Sequence, residues 1–377
     1  MDEGGLLDMA ARAALRGMGA VEPNPMVGCV MVDPRGRVIG VGHHRRYGSA
    51  HAESECVSAC RRAGYSTEGC AVLCTLEPCG HVGKTDPCAD LLVESGVASV
   101  VCARREPTSL AGGGAEKLRA AGVDVRFSDA SRLARLVGAP FAKRVERGLP
   151  WVVAKWAQTV DGGMTTGPGG SGWISNEHSR RRVHVMRGRV DAVVVGIGTV
   201  LADDPMLTAR GVPVRRVARR VVLDSGLRIP LGSALVGSAR EVPLTVFAAR
   251  SAVEGMERVA AMRERGVEVI GVGVRDGRID AREALGELVR RHGSTRVLVE
   301  AGGTLLGALM EEGLVDEAHV HVGGLAPGDT RARAVMDGEY GAAVEGLGGL
   351  MLWRAKELAG DVLLTYGREE EGGGGAL

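Results

Sequence analysis

The sequence has few aromatic residues and almost no net charge. Phe, Trp and Tyr number 3, 4 and 4 among 377 residues. Proteins that bind single-stranded nucleic acid usually stack bases on aromatic side chains, so this scarcity argues against such a function. Lys and Arg number 47 and Asp and Glu 46, which gives a net charge of +1 and no global field to attract nucleic acid or an anionic membrane. We therefore expect no nucleic-acid partner.

The sequence also lacks a long apolar run. A membrane-spanning helix needs about 20 consecutive apolar residues, and no stretch approaches that length. The first residues, Met1 to Leu7, are acidic and do not resemble a secretion signal. We expect a cytoplasmic protein without a membrane partner.

Cysteine is present but confined to one part of the chain. All eight cysteines lie within the first 102 residues, and a disulfide framework is not typical of so long a chain. We expect reduced thiols, some of them bound to metal and the others buried in the core.

The order of predicted helices and strands divides the chain in two. Alternating helices and strands up to Phe127 predict a three-layer α/β domain with some parallel strands. The second half repeats this alternation and ends in strands without intervening helices, which indicates a mixed sheet. A break at Gly148-Leu149-Pro150 predicts domains at 1–148 and 149–367, and residues 368–377 should form a disordered tail.

The strongest motif is a set of metal-ligating side chains in the first half. His51-Ala52-Glu53 begins a predicted helix, and Cys79 and Cys88 follow a predicted strand. One imidazole and two thiolates suit a tetrahedral Zn²⁺ whose fourth position holds water, which is typical of a catalytic site. Glu53 is spaced to move protons without binding the metal. The pattern matches the zinc-deaminase signature H-x-E…P-C-x-x-C, except that eight residues separate the cysteines instead of two.

Two other interpretations of this motif stay open. In the first, the cysteines are buried core residues and His51 is a helix cap. In the second, the zinc is purely structural and His81 is its fourth ligand.

A second motif lies at 300–304. A predicted strand runs into Glu300-Ala301-Gly302-Gly303-Thr304 and then a helix, and small residues at a helix start let backbone N–H groups approach a pyrophosphate. The alternatives are a simple tight turn, or a phosphate site at Gly196-Ile197-Gly198-Thr199 instead. That second segment lacks the third glycine of the dinucleotide fingerprint, because Leu201 stands there, so a standard Rossmann domain is disfavoured.

These motifs together resemble one family, the bifunctional riboflavin-biosynthesis proteins, in which an N-terminal pyrimidine deaminase is fused to a C-terminal reductase. The wide cysteine spacing is also that family's own. The similar runs extend from about Leu6 to Gly367 and include Pro23-Asn24-Pro25-Met26-Val27-Gly28, Thr75 to His81, Gly83 to Asp90, Thr159 to Gly162, Trp173-Ile174-Ser175, Gly196 to Pro205, Val222 to Ser225 and Glu300 to Thr304. The resemblance implies a cytidine-deaminase-like α/β/α domain followed by a dihydrofolate-reductase-like α/β domain with a mixed sheet.

The resemblance also implies two consecutive reactions. A hydrolase with one Zn²⁺ per chain deaminates 2,5-diamino-6-ribosylamino-4(3H)-pyrimidinone 5′-phosphate, and an NADPH-dependent oxidoreductase then reduces the ribosyl group to a ribityl chain. In the deaminase, His51, Cys79 and Cys88 hold zinc, Glu53 is catalytic, and the substrate contacts are Asn24, His43 and Lys84.

The resemblance assigns the reductase residues as well. The residues expected near NADPH are Ala157, Trp173, Thr199, Asp203, Ser225, Gly302, Gly303, Thr304, Leu305, Leu306, Gly307 and Ala308. Those expected to bind the sugar phosphate are Ser171, Arg187, Leu207, Arg210 and Glu300. Lys155 and Glu300 are both candidates for proton transfer during opening of the sugar ring, and the sequence does not rank them.

The chain departs from the family in two loops, and other functions remain to be tested. Glu106-Pro107-Thr108-Ser109 and Gly112-Gly113-Gly114 replace an Asp-Pro-Asn-Pro run and a following basic turn, and Gly323 to Gly328 replaces an Ala-Pro-Lys run.

The alternative functions are a paralogue with one active site, a zinc deaminase of nucleosides or RNA bases with an unrelated second domain, and a nucleic-acid-binding module built on the arginines at 180–189 and 215–220. We also expect a homo-oligomer.

Overall fold

The chain divides into two compact units, Met1–Leu149 and Pro150–Leu377. The structure is a computed structural model that describes residues 1–81, 86–164, 172–254, 256–300, 302–326 and 349–368. The predicted disordered tail, apart from Arg368, therefore lies outside the described residues, as do Lys84 and Ser171. Within these ranges, none of the helices combines the length and apolar character that a membrane span requires.

The first unit is built on a five-stranded sheet. Its strands are β1 (Gly28–Val32), β2 (Val38–His43), β3 (Ala71–Cys74), β4 (Ser99–Cys102) and β5 (Asp124–Phe127), and its helices are α1 (Glu3–Ala14), α2 (Ala52–Arg62), α3 (Cys88–Glu94), α4 (Gly114–Ala120) and α5 (Arg132–Arg147). The strand order is β2-β1-β3-β4-β5. Strand β1 is antiparallel to β2 and β3, whereas β3, β4 and β5 are parallel.

Two separate cores cover the faces of this sheet. Successive residues of a strand point to opposite faces, so Cys29 and Met31 pack with α2, α3 and α4, and Val30 and Val32 pack with α1 and α5. The predicted three-layer α/β/α arrangement is confirmed.

The second unit is built on a nine-stranded sheet. The strands of this sheet are β6 (Trp151–Thr159), β7 (Ala192–Gly196), β8 (Arg219–Leu223), β9 (Leu244–Ala249), β10 (Val267–Val272), β13 (Arg296–Val299), β14 (Glu317–Gly323), β15 (Met351–Leu358) and β16 (Asp361–Gly367), and their order is β10-β9-β8-β7-β13-β6-β14-β16-β15. A separate antiparallel pair is formed by β11 (Val274–Arg275) and β12 (Arg278–Ile279). The helices of this unit are α6 (Glu177–Arg187), α7 (Ile197–Asp203), α8 (Ala234–Gly237), α9 (Arg250–Val253), α10 (Met256–Glu264), α11 (Ala281–His292) and α12 (Gly303–Glu311).

Most of this sheet is parallel, and its last strands are antiparallel. Every neighbouring pair from β10 to β14 is parallel, while β16 is antiparallel to both β14 and β15. The mixed sheet expected from the sequence is therefore confirmed. Because parallel strands end at the same edge, the residues that follow β6, β7, β8 and β13 are brought together there.

Candidate active sites

Three predicted ligands meet in the first unit. His51, Cys79 and Cys88 place their ligand atoms within 4.8 Å of one another. His51 Nδ1 lies 3.6 Å from Cys79 Sγ and 3.3 Å from Cys88 Sγ. Tetrahedral bonds of about 2.3 Å to sulfur and about 2.0 Å to nitrogen would separate these atoms by about 3.5 Å, so the donor set and its spacing fit Zn²⁺.

Backbone contacts hold these ligands in place. His51 is the N-cap residue of α2 and Cys88 is the first residue of α3. Helix α2 lies directly on β2, because a Cβ on Gly42 would be 2.1 Å from the carbonyl oxygen of Ala52. Cys88 N donates a hydrogen bond of 3.4 Å to Cys79 Sγ, which joins the loop after β3 to α3.

The electrostatics favour a thiolate beside a protonatable carboxyl group. Hydrogen bonds from Cys88 and His51 lower the pKa of Cys79 to about 4. Glu53 is only 3% exposed, and this burial raises the pKa of its carboxyl group. A carboxyl group with a raised pKa next to a metal site is suited to proton transfer near neutral pH.

One predicted substrate contact of the deaminase, Asn24, is connected to the ligand His51 through a neighbouring histidine. Asn24 Nδ2 is 3.4 Å from Nε2 of His44, and the His44 ring meets the His51 ring edge-on with centroids 5.6 Å apart. His43 is half-buried at the end of β2. His81 does not belong to the group of ligand atoms found among the described residues, so the structural-zinc interpretation gains no fourth ligand from it.

The loop that departs from the family pattern is fixed to the metal site by backbone hydrogen bonds. The buried Glu77 accepts hydrogen bonds from Glu106 N (3.2 Å) and Ala115 N (3.0 Å). A Cβ on Gly114 would lie 1.7 Å from the carbonyl oxygen of Pro78, so only glycine permits this approach beside Cys79.

The remaining thiols are core residues, as the sequence predicted. Six of them are buried in the core between the sheet and α2, α3 and α4, namely Cys29, Cys56, Cys60, Cys70, Cys74 and Cys102.

In the second unit, predicted residues form a charged cluster. Arg187 binds Glu300 through two hydrogen bonds of 2.6 Å and 2.9 Å, and both side chains are 13% exposed. Burial lowers the pKa of Lys155. The positive charge of Arg187 lowers this pKa further, whereas the negative charge of Glu300 raises it. The ion pair lowers the pKa of Glu300 against the effect of burial. An ammonium group with a lowered pKa beside a carboxylate is equipped for proton transfer.

The loop after α7 is tied to this cluster. Arg187 Nη1 and His184 Nδ1 both hydrogen-bond to the Thr208 carbonyl oxygen, at 3.2 Å each. Leu207 is buried and has a positive φ of 53°, and Arg210 is exposed. The guanidinium of Arg187 is therefore engaged with protein groups, whereas Arg210 lies at the surface.

Most of the residues predicted to contact NADPH lie near the end of a parallel strand or shortly after one ends. Ala157 lies in β6, Thr199 and Asp203 in α7 after β7, and Ser225 after β8. Residues 302–308 form the N-cap and first turns of α12 after β13. Trp173 is 64% exposed, and the Arg180 guanidinium lies 4.8 Å from its ring centre.

The start of α12 is open. Gly302 has φ −73° and ψ 171°, which any residue adopts, and a Cβ there would meet none of the described residues within 4 Å. No side chain of the described residues caps this helix. Its first backbone N–H groups are therefore not covered by a capping side chain, and such N–H groups are the kind that bind anions in proteins.

Sequence reasoning missed two histidines near these sites. His44 joins Asn24 to His51. His184 precedes Arg187 by three residues on α6, so helical spacing could have linked the two.

Comparison with known proteins accounts for both units. The family model described as "RibD C-terminal domain" matches residues 150–356, and "Cytidine and deoxycytidylate deaminase zinc-binding region" matches residues 3–104. The riboflavin biosynthesis protein RibD of Actinobacillus pleuropneumoniae is 35% identical over 96% of this chain and 94% of that protein. RibD of Aquifex aeolicus is 35% identical over 87% of this chain and 90% of that protein. The chain belongs to the RibD family.

Solved RibD structures agree with this assignment. The deaminase/reductase of Thermotoga maritima has a TM-score of 0.80 and 30% identity and covers 97% of this chain and 98% of that one. RibD of Acinetobacter baumannii has a TM-score of 0.79 and 30% identity, with coverage of 97% and 99%. This RibD protein is a bifunctional deaminase and reductase of riboflavin biosynthesis that uses zinc and NADPH and acts on a small molecule. The interpretation with an unrelated second domain is wrong, because residues 150–356 match the RibD C-terminal domain.

Proposed function

We propose that residues 1–148 deaminate 2,5-diamino-6-ribosylamino-4(3H)-pyrimidinone 5′-phosphate and that residues 149–367 reduce the product to 5-amino-6-(5-phosphoribitylamino)uracil. The Thermotoga maritima protein is named for both activities, as a diaminohydroxyphosphoribosylaminopyrimidine deaminase and a 5-amino-6-(5-phosphoribosylamino)uracil reductase. The observation that carries the proposal is the meeting of His51, Cys79 and Cys88 beside the buried Glu53.

In the deaminase, we assign zinc binding to His51, Cys79 and Cys88. Zinc held there would activate a water molecule for attack on the ring carbon that bears the amino group. Glu53 takes a proton from that water and delivers it to the departing amino group, so that a C–O bond forms, the C–N bond breaks and ammonia leaves. The burial of Glu53 supports this role, because a raised pKa lets it hold and release the proton.

We assign substrate contacts of the deaminase to Asn24, His43 and Lys84. Asn24 lies next to His44, whose ring contacts the ligand His51, and this places its amide close to the reacting centre. Lys84 lies outside the described residues and is carried over by motif alone.

In the reductase, NADPH would supply a hydride to C1 of the sugar. Breaking the ring C–O bond leaves an oxygen that must be protonated, and we assign that proton to Lys155, with Glu300 setting its position and charge. The pairing of Glu300 with Arg187 supports this division, because an ion-paired carboxylate is a poor proton donor.

We carry the remaining reductase contacts over from the family motifs, and Ser171 among them lies outside the described residues. The NADPH contacts are Ala157, Trp173, Thr199, Asp203, Ser225, Gly302, Gly303, Thr304, Leu305, Leu306, Gly307 and Ala308, and the sugar phosphate contacts are Ser171, Arg187, Leu207, Arg210 and Glu300. Because Arg187 is bound to Glu300, the exposed Arg210 is the better placed of the two arginines to grip phosphate.

We further propose that the enzyme works in the cytoplasm as a homo-oligomer without membrane or nucleic-acid partners. The net charge of +1 supports the last point, because no global field favours a polyanion. Light scattering of the purified chain measures the oligomeric state.

Glu53→Gln tests the deaminase assignment. Ammonia release should fall by about 10² to 10⁴-fold, because the amide cannot move a proton, while zinc content stays at one per chain. Glu55→Gln is the matched control, since Glu55 lies on the same helix turn but pairs with Arg45 at the surface. Loss of zinc from Glu53→Gln, or normal turnover, would contradict the assignment. A parallel assay of NADPH oxidation with the deaminated substrate shows whether both sites are active.

A further inference from the structure

One buried histidine of the second unit has no hydrogen-bond partner in the described part of the chain. His321 in β14 is 1% exposed, and neither ring nitrogen is paired there. Proteins pair the great majority of their buried polar groups, because leaving one unpaired costs free energy. The position of His321 therefore requires an explanation.

Strand register puts His321 on the face of the sheet that carries the reductase cluster. In the parallel pair of β14 and β6, His319 is opposite Lys155 and His321 is opposite Ala157. Residues two apart on a strand share a face, so the side chains of Lys155 and His321 lie on the same side. Ala157 is one of the residues assigned to the NADPH site.

The loop before α6 closes over the same face just beyond His321. The next residue on that side is Gly323, where a Cβ would lie 2.0 Å from the carbonyl oxygen of Ile174. This loop also carries Trp173, another assigned NADPH contact. Along this face, His321 thus lies between Lys155 and the loop that carries Trp173.

His321 is neutral at this position. Burial and the positive charges of Lys155 on β6 and Arg182 on α6, together with His319 on its own strand, lower the pKa of His321 to about 3. A neutral imidazole has one N–H donor and one nitrogen acceptor. A sugar hydroxyl group is also both donor and acceptor, whereas a phosphate would call for a cation.

We propose that His321 binds the sugar chain of the reductase substrate, with one hydroxyl group at each ring nitrogen, and that the two nitrogens are unpaired because the substrate pairs them. This inference rests on the proposed reductase function. It adds to Lys155 and Glu300 a residue that orients the sugar chain while C1 receives the hydride.

His321→Leu tests the proposal, because leucine fills the space of the ring without its nitrogens. The KM for the sugar phosphate should rise about tenfold, as expected when a hydrogen bond to the substrate is lost and its hydroxyl is left unpaired. The Kd for NADPH and the rate of ammonia release should stay within twofold of wild type. The melting temperature should be equal or higher, because the leucine removes an unpaired buried polar group.

Two further substitutions make the result decisive. His321→Asn and His321→Gln keep a hydrogen-bond donor and an acceptor on side chains of two different lengths. At least one of them should have a KM close to that of wild type. His292→Leu is the matched control: His292 Nε2 is bound to Glu268 at 2.9 Å, so its loss should lower the melting temperature of the second unit and leave the KM unchanged.

The opposite outcomes overturn the proposal. An unchanged KM, a lowered melting temperature or misfolding in His321→Leu would identify a structural histidine, and a raised Kd for NADPH with an unchanged KM would identify a cofactor contact. If the wild-type chain does not reduce the sugar phosphate, the proposed reductase function itself fails. If wild type is active and Lys155→Ala is impaired while His321→Leu is normal, only the role of His321 fails.

Discussion

The two units build their sites in opposite ways. In the first unit, one imidazole and two thiols converge within a sequence span of 38 residues, and the neighbouring Glu53 is buried without an ion pair in the described residues. In the second unit, Arg187 and Glu300 are 113 residues apart in sequence and neutralise each other. A metal site needs only a few ligands at fixed distances, whereas the reductase site needs a whole sheet to bring its charges together.

This contrast predicts that damage to one site leaves the other intact. Cys88→Ser should remove zinc and lower ammonia release by more than about 10³-fold, because zinc activation of water is lost. NADPH oxidation should be unaffected, since the reductase cluster lies in the second unit. Cys56→Ser is the matched control, because Cys56 is a buried thiol of the core and should retain both zinc and activity. Zinc analysis by atomic absorption and the two activity assays measure the outcome, and loss of zinc from Cys56→Ser would mean that the ligands are misassigned.

The second site should depend more on charge pairing than the first. Arg187→Met leaves Glu300 largely buried without its main partner, which should destabilise the second unit by about 3 to 5 kcal/mol. Arg250→Met, which breaks the surface pair with Glu283, should cost less than about 1 kcal/mol. All four tryptophans lie in the second unit, so urea unfolding followed by tryptophan fluorescence reports this unit alone. Equal effects of the two substitutions would contradict the prediction.

The pH dependence of stability sharpens the comparison further. Arg296 and His319 lower the pKa of Glu317 to about 2 against the effect of burial, compared with an ordinary value of 4.5. A carboxyl group whose pKa is lower in the folded state stabilises the protein above pH 4.5, and this stabilisation is lost as the pH falls toward 2. Glu317→Gln should therefore destabilise the second unit by about 3 kcal/mol at pH 7 and by clearly less at pH 3.

Urea unfolding followed by tryptophan fluorescence at both pH values tests this expectation. The surface carboxyl group of Glu357, replaced in Glu357→Gln, provides the control. If the free energies of unfolding of wild type and Glu317→Gln differ by the same amount at the two pH values, the carboxylate does not stabilise the folded state through its partners.

The same contrast explains what the sequence could and could not predict. The cluster of His51, Cys79 and Cys88 was predicted from residue type and spacing, and α2 begins at Ala52 as predicted because its cap and its apolar spacing are local signals. The bounds of α7, Ile197–Asp203, were not predicted, because Gly196 and Gly198 weaken the helical signal where this helix begins. The position of His321 beside Ala157 depends on the pairing of β14 with β6, and no local pattern encodes a register between strands 164 residues apart.

The smallest expected effect concerns the NADPH site proposed at α12 and decides between the two phosphate sites that the sequence left open. Gly302→Val should raise the Kd for NADPH about tenfold, because the new side chain occupies space that none of the described residues fills and blocks approach to the start of the helix. Folding should be unaffected, since the φ of −73° suits any residue and a Cβ there meets nothing within 4 Å. Gly198→Val makes the same test at the start of α7, where a Cβ also meets nothing, and Gly232→Val is the control at an open position away from both segments. Titration of NADPH against the tryptophan fluorescence of each variant gives the three Kd values. If Gly198→Val alone weakens binding of NADPH, the pyrophosphate lies at α7 and not at α12.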